Sequence, residues 1–139
     1  MLRELRYSKN IKRFEELDFA REKDVLNKVI VTSNIDIQTH QKIYKINYSS
    51  YLNEDYIVSD NSCLMLLKLL KKCGVTKVAL AGVDGFVSNV EENYYDKELV
   101  NNVESECLEL KTLHIKEQIR ILERNMEIVF ITKSQYEGD

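Results

Sequence analysis

The chain has 139 residues, 44% of them hydrophobic and 31% charged, with a formal net charge of −3, which is the composition of one soluble globular domain with a single core. That length excludes a complete (β/α)₈ barrel, which needs about 250 residues, so any function has to be carried by one small domain. The 20 basic and 23 acidic residues are interspersed, whereas a nucleic-acid partner requires a clustered basic face, and nucleic acid is not expected as a partner.

With no proline and only four glycines, the elements have to be read from periodicity and capping residues. Tyr7, Ile11, Phe14 and Leu17 recur at helical spacing, and Asp18 is placed to cap a second short helix ending near Asn27. Residues 1–27 therefore read as a helical lead-in and 28–139 as an α/β domain. Lys28 to Ser33 (KVIVTS) is a β-branched run too apolar for a strand with one wet face, and suits a strand covered on both sides. Ile43 to Asn47 (IYKIN) reads as a second strand. Asp60 to Cys73 is apolar around most of its circumference, with Lys68, Lys71 and Lys72 marking the wet side, and is expected to be a helix packed on a sheet. Ser59, Asp60, Asn61 and Ser62 can all cap its start, and Gly74 suits the left-handed residue after its end.

Lys77 to Ala81 (KVALA) follows as a third strand and runs into Gly82-Val83-Asp84-Gly85, a turn with two permissive residues around a carboxylate. A polar loop is expected to extend to about Asp96. Asn101 to Asn125 reads as a helix, with Asn101 and Glu104 spaced as a capping box and Leu108, Ile115, Ile119 and Leu122 on one face. Met126 to Thr132 (MEIVFIT) is the last strand. The order β, β, α, β, α, β with short buried strands favours a sheet covered by helices.

Cys63, Cys73 and Cys107 form an odd set without CxxC spacing, which predicts reduced thiols and a cytoplasmic setting. Met1 to Arg13 lacks the apolar segment of a secretory signal, and no run approaches the roughly 18 apolar residues of a membrane span, so no membrane partner is expected. His40 and His114 are far apart, and neither shares metal-ligand spacing with a cysteine or carboxylate. No metal site is expected. The absence of GxGxxG, Walker and GxSxG motifs leaves dinucleotide binding, P-loop phosphoryl transfer and hydrolase chemistry without their signatures. No cofactor is expected, and no catalytic residue is identified.

In open α/β sheets ligands bind beyond the carboxyl ends of the strands, where loop N–H groups and helix N-termini converge. The polar residues at those ends are Thr32, Ser33 and Asn34, then Asn47, Tyr48, Ser49 and Ser50, then Asp84 and Gly85, and Thr132 at the end of the last strand, with Asp60, Asn61 and Ser62 at the helix start beside them. Their amides, hydroxyls and carboxylate suit a phosphorylated or sugar-like ligand, and the set is expected to line one concavity. Each residue also has a purely local reading, because Asn, Asp and Ser are favoured at caps and turns. Asp84 either touches a ligand or caps its turn. Tyr94 and Tyr95 either close over a sugar or base, or anchor their loop to the core. At the helix start, Asp60 is expected to cap from the rim with Ser62 facing inward.

The segments KVIVTSN, KINYSSYLN, DNSCLMLLKLLKKCGVTKVALAGVDGF, ENYYD and VFITKSQYE, spanning residues 28–137, resemble the C-terminal domain of bacterial 4-hydroxy-2-oxovalerate aldolase-like or HMG-CoA lyase-like proteins. This resemblance implies an accessory domain of an aldolase (lyase)-type polypeptide whose catalytic barrel is its partner and carries the metal and catalytic residues. LAGVDGF is also distantly similar to Rossmann-like sialyltransferase domains, whose sugar-nucleotide contacts would fall on Asn34, Asn47, Asn61, Ser62 and Asp84. Here TSNID replaces their glycine-rich turn, and their catalytic histidine has no counterpart between Gly85 and Leu113. Together the likenesses imply a small Rossmann-like three-layer domain with a mainly parallel four-stranded sheet. The alternative is a structural module that orients the barrel or forms a homo-oligomer, since a final helix of about 25 residues, near 37 Å, would outreach the strands.

Overall fold

The computed structural model describes residues 22–23, 30–35, 40, 42–86 and 105–138. The expected N-terminal helices, Tyr94 and Tyr95, and the Asn101 and Glu104 pair lie outside the described residues. The chain divides into two compact units, Met1–Tyr51 and Leu52–Asp139, and is of mixed α/β type.

In the first unit, β1 (Ile30–Thr32) pairs in parallel with β2 (Tyr44–Ile46), with Val31 opposite Lys45. Ser33 extends the ladder by donating its N–H to the Ile46 carbonyl at 2.8 Å. Val31 and Thr32 are buried, as the β-branched run predicted, whereas Tyr44 and Lys45 of β2 are exposed. The Tyr44 ring is not idle at the surface: the Lys42 ammonium sits 5.5 Å from its centroid, a cation–π distance. A 3₁₀ turn at Ser49–Tyr51 closes the unit and buries Tyr51.

The second unit runs through a 3₁₀ turn (Tyr56–Val58), helix α1 (Ser62–Lys72), strand β3 (Lys77–Leu80), helix α2 (Ser105–Glu123) and strand β4 (Glu127–Phe130). β3 and β4 are parallel, in register from Lys77 opposite Glu127 to Leu80 opposite Phe130. Parallel neighbours cannot be joined by a tight turn, and the chain between them includes α2, as in a βαβ unit. The core forms where the buried sides of the elements meet: Leu64 and Leu67 of α1, Ile115, Ile119 and Leu122 of α2, and Val58 and Tyr136. Val78 and Leu80 of β3 and Ile128 and Phe130 of β4 pack against this cluster. Leu108, Ile115, Ile119 and Leu122 are all buried, the face that their spacing predicted.

α1 ends as its glycine foretold. Gly74 has φ +81°, its N–H donates to the Lys71 carbonyl, and the Val75 N–H reaches back to the Leu70 carbonyl, which is the Schellman arrangement. Lys71 and Lys72 are exposed, but Lys68 is not on a wet side. Its half-buried ammonium donates to the Leu52 carbonyl at 2.9 Å.

Two expectations are corrected. The strands are not one hydrogen-bonded set of four: among the described residues they form two parallel pairs, one in each unit. Nor are β3 and β4 buried on both sides. Lys77 and Ala79, and Glu127 and Val129, face water in strict alternation, because a charged residue opens each strand and sets a period of two. Lys77 and Glu127, opposite in register, form an exposed ion pair at 2.6 Å. The described part of α2, Ser105–Glu123, has 19 residues, or about 28 Å.

None of the cysteines forms a disulfide, and Cys63 packs beside the core. No helix among the described residues is long and apolar enough to cross a membrane. The packing sets an expected contrast on one helix. Ile119→Ala, at a fully buried position, should cost about 2–5 kcal/mol of unfolding free energy, while Leu113→Ala, at a side chain 65% exposed, should stay within about 0.5 kcal/mol. Urea unfolding of both variants measures the difference.

Candidate functional site

At the carboxyl end of the β3–β4 pair the ladder runs one step past the strands, with the Ile131 N–H donating to the Leu80 carbonyl at 2.7 Å. Beyond it, residues 81–86 and 131–136 are laced together. The Gly82 N–H donates to the Thr132 hydroxyl at 2.9 Å, and that hydroxyl donates to Asp84 Oδ1 at 3.3 Å. The buried Ser134 hydroxyl donates to the Val83 carbonyl at 2.6 Å and accepts from the Tyr136 N–H. The Gln135 N–H donates to the Asp84 carbonyl at 2.8 Å. Phe86 is tied to α2, its N–H donating to the Thr112 hydroxyl at 3.4 Å, while that hydroxyl's own proton has the Leu108 carbonyl at 3.0 Å and the Phe86 carbonyl at 3.3 Å as acceptors.

The two glycines of this loop have different reasons to be glycine. Gly82 (φ +67°) faces open space, so only its backbone conformation excludes a side chain. Gly85 (φ +96°) is also crowded, because a Cβ there would lie 2.8 Å from Gln135 Cβ. Asp84 is exposed on the rim between them. Its carboxylate is engaged by a residue 48 positions away and not by its own turn, which is the local role the sequence offered.

Asn61 and Ser62 occupy the start of α1. Asn61 is the cap, its Oδ1 accepting the Leu64 N–H at 3.1 Å. The expectation that Asp60 caps from the rim is corrected: Asn61 immediately precedes the first helical residue and sits one N–H closer to the groups that need an acceptor. Ser62 Oγ is buried with no hydrogen-bond partner among the described residues, as is Oδ1 of the buried Asn53. The Asn53 amide nitrogen binds the 3₁₀ turn through the Val58 and Ser59 carbonyls.

The other predicted residues belong to the first unit. Thr32 is buried at the end of β1 with its hydroxyl unpartnered among the described residues. The Ser33 hydroxyl accepts the Tyr48 N–H at 3.0 Å, joining the ends of β1 and β2. Asn34 is exposed in the turn after β1. Asn47 Oδ1 accepts both the N–H and the hydroxyl of Ser49, an Asx-type turn. Ser33, Asn47 and Ser49 are thus gathered at one end of β1–β2, and Asp84 and Gly85 at the corresponding end of β3–β4.

Sequence reasoning missed a pairing across the second unit. His114 Nδ1 donates to Asp55 Oδ2 at 2.5 Å, and Asp55 Oδ1 accepts the Ile57 N–H, capping the 3₁₀ turn. Because the carboxylate can only accept, the proton of this bond belongs to Nδ1. The two residues are 59 positions apart, and no spacing rule links them. Lys68 is a second such case: burial holds its ammonium below the ordinary lysine range, an effect that the charge of Glu54 partly offsets. Among the described residues no group of three or more His, Cys, Asp or Glu side chains is placed to hold a metal ion. An open depression of about 350 Å³ beside β4, lined by Glu123, Phe130 and Glu137, contains none of the predicted residues.

Comparison of the chain with protein-family models, curated proteins and solved structures finds no match.

Two stability contrasts follow. Gly82→Ala should cost about 1 kcal/mol from backbone strain alone, and Gly85→Ala clearly more, since its Cβ also displaces Gln135; thermal unfolding ranks the two. His114→Ala should cost about 1 kcal/mol, and Asp55→Ala about 2 because the cap goes with the pair. In the double variant the two losses should not add.

Proposed function

We propose that this chain is a small Rossmann-like α/β binding domain that takes a phosphorylated or sugar-like ligand at the carboxyl end of its β3–β4 pair. The observation that carries this reading is the rim formed by Gly82, Asp84 and Thr132. These three exposed residues lie at the carboxyl end of a parallel pair, held by hydrogen bonds among themselves and by the buried Ser134 behind them. Polar groups fixed on a rigid scaffold at this end of parallel strands are what ligand recognition in α/β folds uses. The first unit by itself carries groups of the same chemistry, Ser33, Asn47 and Ser49, at the carboxyl ends of β1 and β2.

The wider role, an accessory domain beside the barrel of an aldolase-type protein, rests on the resemblance of residues 28–137 and is part of the same proposal. A second reading has one observation in its favour. Leu110 and Leu113 are exposed on α2, on a face that a structural module would use for self-association.

Calorimetric titration of the full chain with nucleotides, nucleotide-sugars and inorganic phosphate tests the binding reading. Saturable heat with at least one class is expected, with affinity reduced about tenfold, or 1.4 kcal/mol, by Asp84→Ala. Folded protein that binds none of them rejects it. Light scattering that gives a dimer for the wild type and a monomer for Leu113→Lys would favour the second reading instead.

A further inference from the structure

We propose that Thr132 is a positioning residue that aims Asp84 at a hydroxyl group of the ligand, so that this end of the site reads a sugar or polyol hydroxyl and not a phosphate. The inference rests on the binding reading above and deepens it.

The direction of the hydrogen bonds carries the argument. A threonine hydroxyl has one proton and two lone pairs. The Gly82 N–H, which can only donate, occupies one lone pair at 2.9 Å. Asp84, whose ionised carboxylate can only accept, lies 3.3 Å away on the other side. The threonine proton is therefore committed to Asp84 Oδ1, and the chain Gly82 N–H, Thr132 O–H, Asp84 carboxylate has a single polarity. With Oδ1 held, the carboxylate plane is oriented and Oδ2 is left without a donor among the described residues, on an exposed side chain. Oδ2 is thereby open to a donor that a ligand brings.

The same polarity selects the ligand chemistry. A carboxylate repels a phosphate, and the Gly82 N–H is already spent on Thr132. A hydroxyl, by contrast, donates readily to an oriented carboxylate, and such charge-assisted bonds are roughly twice as strong as neutral ones. Any phosphate of the same ligand must seat elsewhere.

A merely structural bridge would behave differently. The loop is also held by Ser134 to Val83, Gln135 to Asp84 and Thr112 to Phe86. Removing the Thr132 hydroxyl should therefore leave the loop in place and free only the carboxylate.

The test follows backbone amide signals of the full chain by NMR during titration with uridine, 2′,3′-dideoxyuridine, glucose and inorganic phosphate, in the wild type and in Thr132→Val, Thr132→Ser and Asp84→Asn. At least one hydroxyl-bearing probe should move the Gly82 and Asp84 signals, and phosphate should not. Thr132→Val, with an unchanged unfolding midpoint, should weaken that probe about tenfold, Asp84→Asn at least as much, and Thr132→Ser should restore it to within about twofold. A response to phosphate at Gly82 and Asp84, or unchanged probe affinity in Thr132→Val, overturns the inference. Probes that move signals only at Ser33, Asn47, Asn61 or Ser62 overturn it while sparing the binding reading. Silence to every probe at every position removes both.

Discussion

The burial of Ile115 and Ile119 against Leu64 and Leu67 is the contact on which the second unit depends. β3 and β4 are four residues each, and a pair of strands that short has too few ladder bonds to stand alone in water. Val78, Leu80, Ile128 and Phe130 gain an apolar surface only because the two helices present one. Each fully buried aliphatic side chain in that cluster contributes about 1.5–3 kcal/mol by removal from water. The helices thereby hold two strands in parallel, and parallel strands bring both carboxyl ends to one side.

Everything polar in the candidate site follows from that alignment. Residues 81–86 leave β3 at the same edge where 131–136 leave β4, so two loops about 50 positions apart in sequence become neighbours. Their N–H and C=O groups are no longer supplied by a ladder, and the side chains of Thr132, Ser134 and Thr112 supply partners instead. Left-handed backbone at Gly82 and Gly85 lets the loop stay close to its partner, and at Gly85 the close packing of Gln135 leaves no room for a side chain. The exposed Asp84 thus stands on a scaffold fixed from behind.

The His114–Asp55 pair works in the same way on another side of the unit. It fastens the 3₁₀ turn at Tyr56–Val58 to the middle of α2, while Val58 enters the core. Lys68 anchors the chain entering that turn by way of the Leu52 carbonyl. Both contacts are long-range in sequence and polar, and both place charge at the edge of an apolar cluster instead of inside it.

Periodicity and chain-end chemistry were enough to find the order of elements. The β-branched run at Ile30–Thr32, the Leu108, Ile115, Ile119 and Leu122 stripe, and Gly74 after α1 could all be read directly, because each is a local preference repeated at a structural period. The alternation in KVAL and EIVF is also written in the sequence, since a charged residue and then every second position face water. The site was legible only in part. Asp84 and its glycines stood out because a carboxylate between permissive residues after a strand is a local pattern. Thr132 as the partner of Asp84, Asp55 as the partner of His114, and Asn61 rather than Asp60 as the cap were decided by the tertiary structure. Hydrogen-bond direction and pairing depend on which atoms approach within about 3 Å after packing, and no spacing along the chain encodes that.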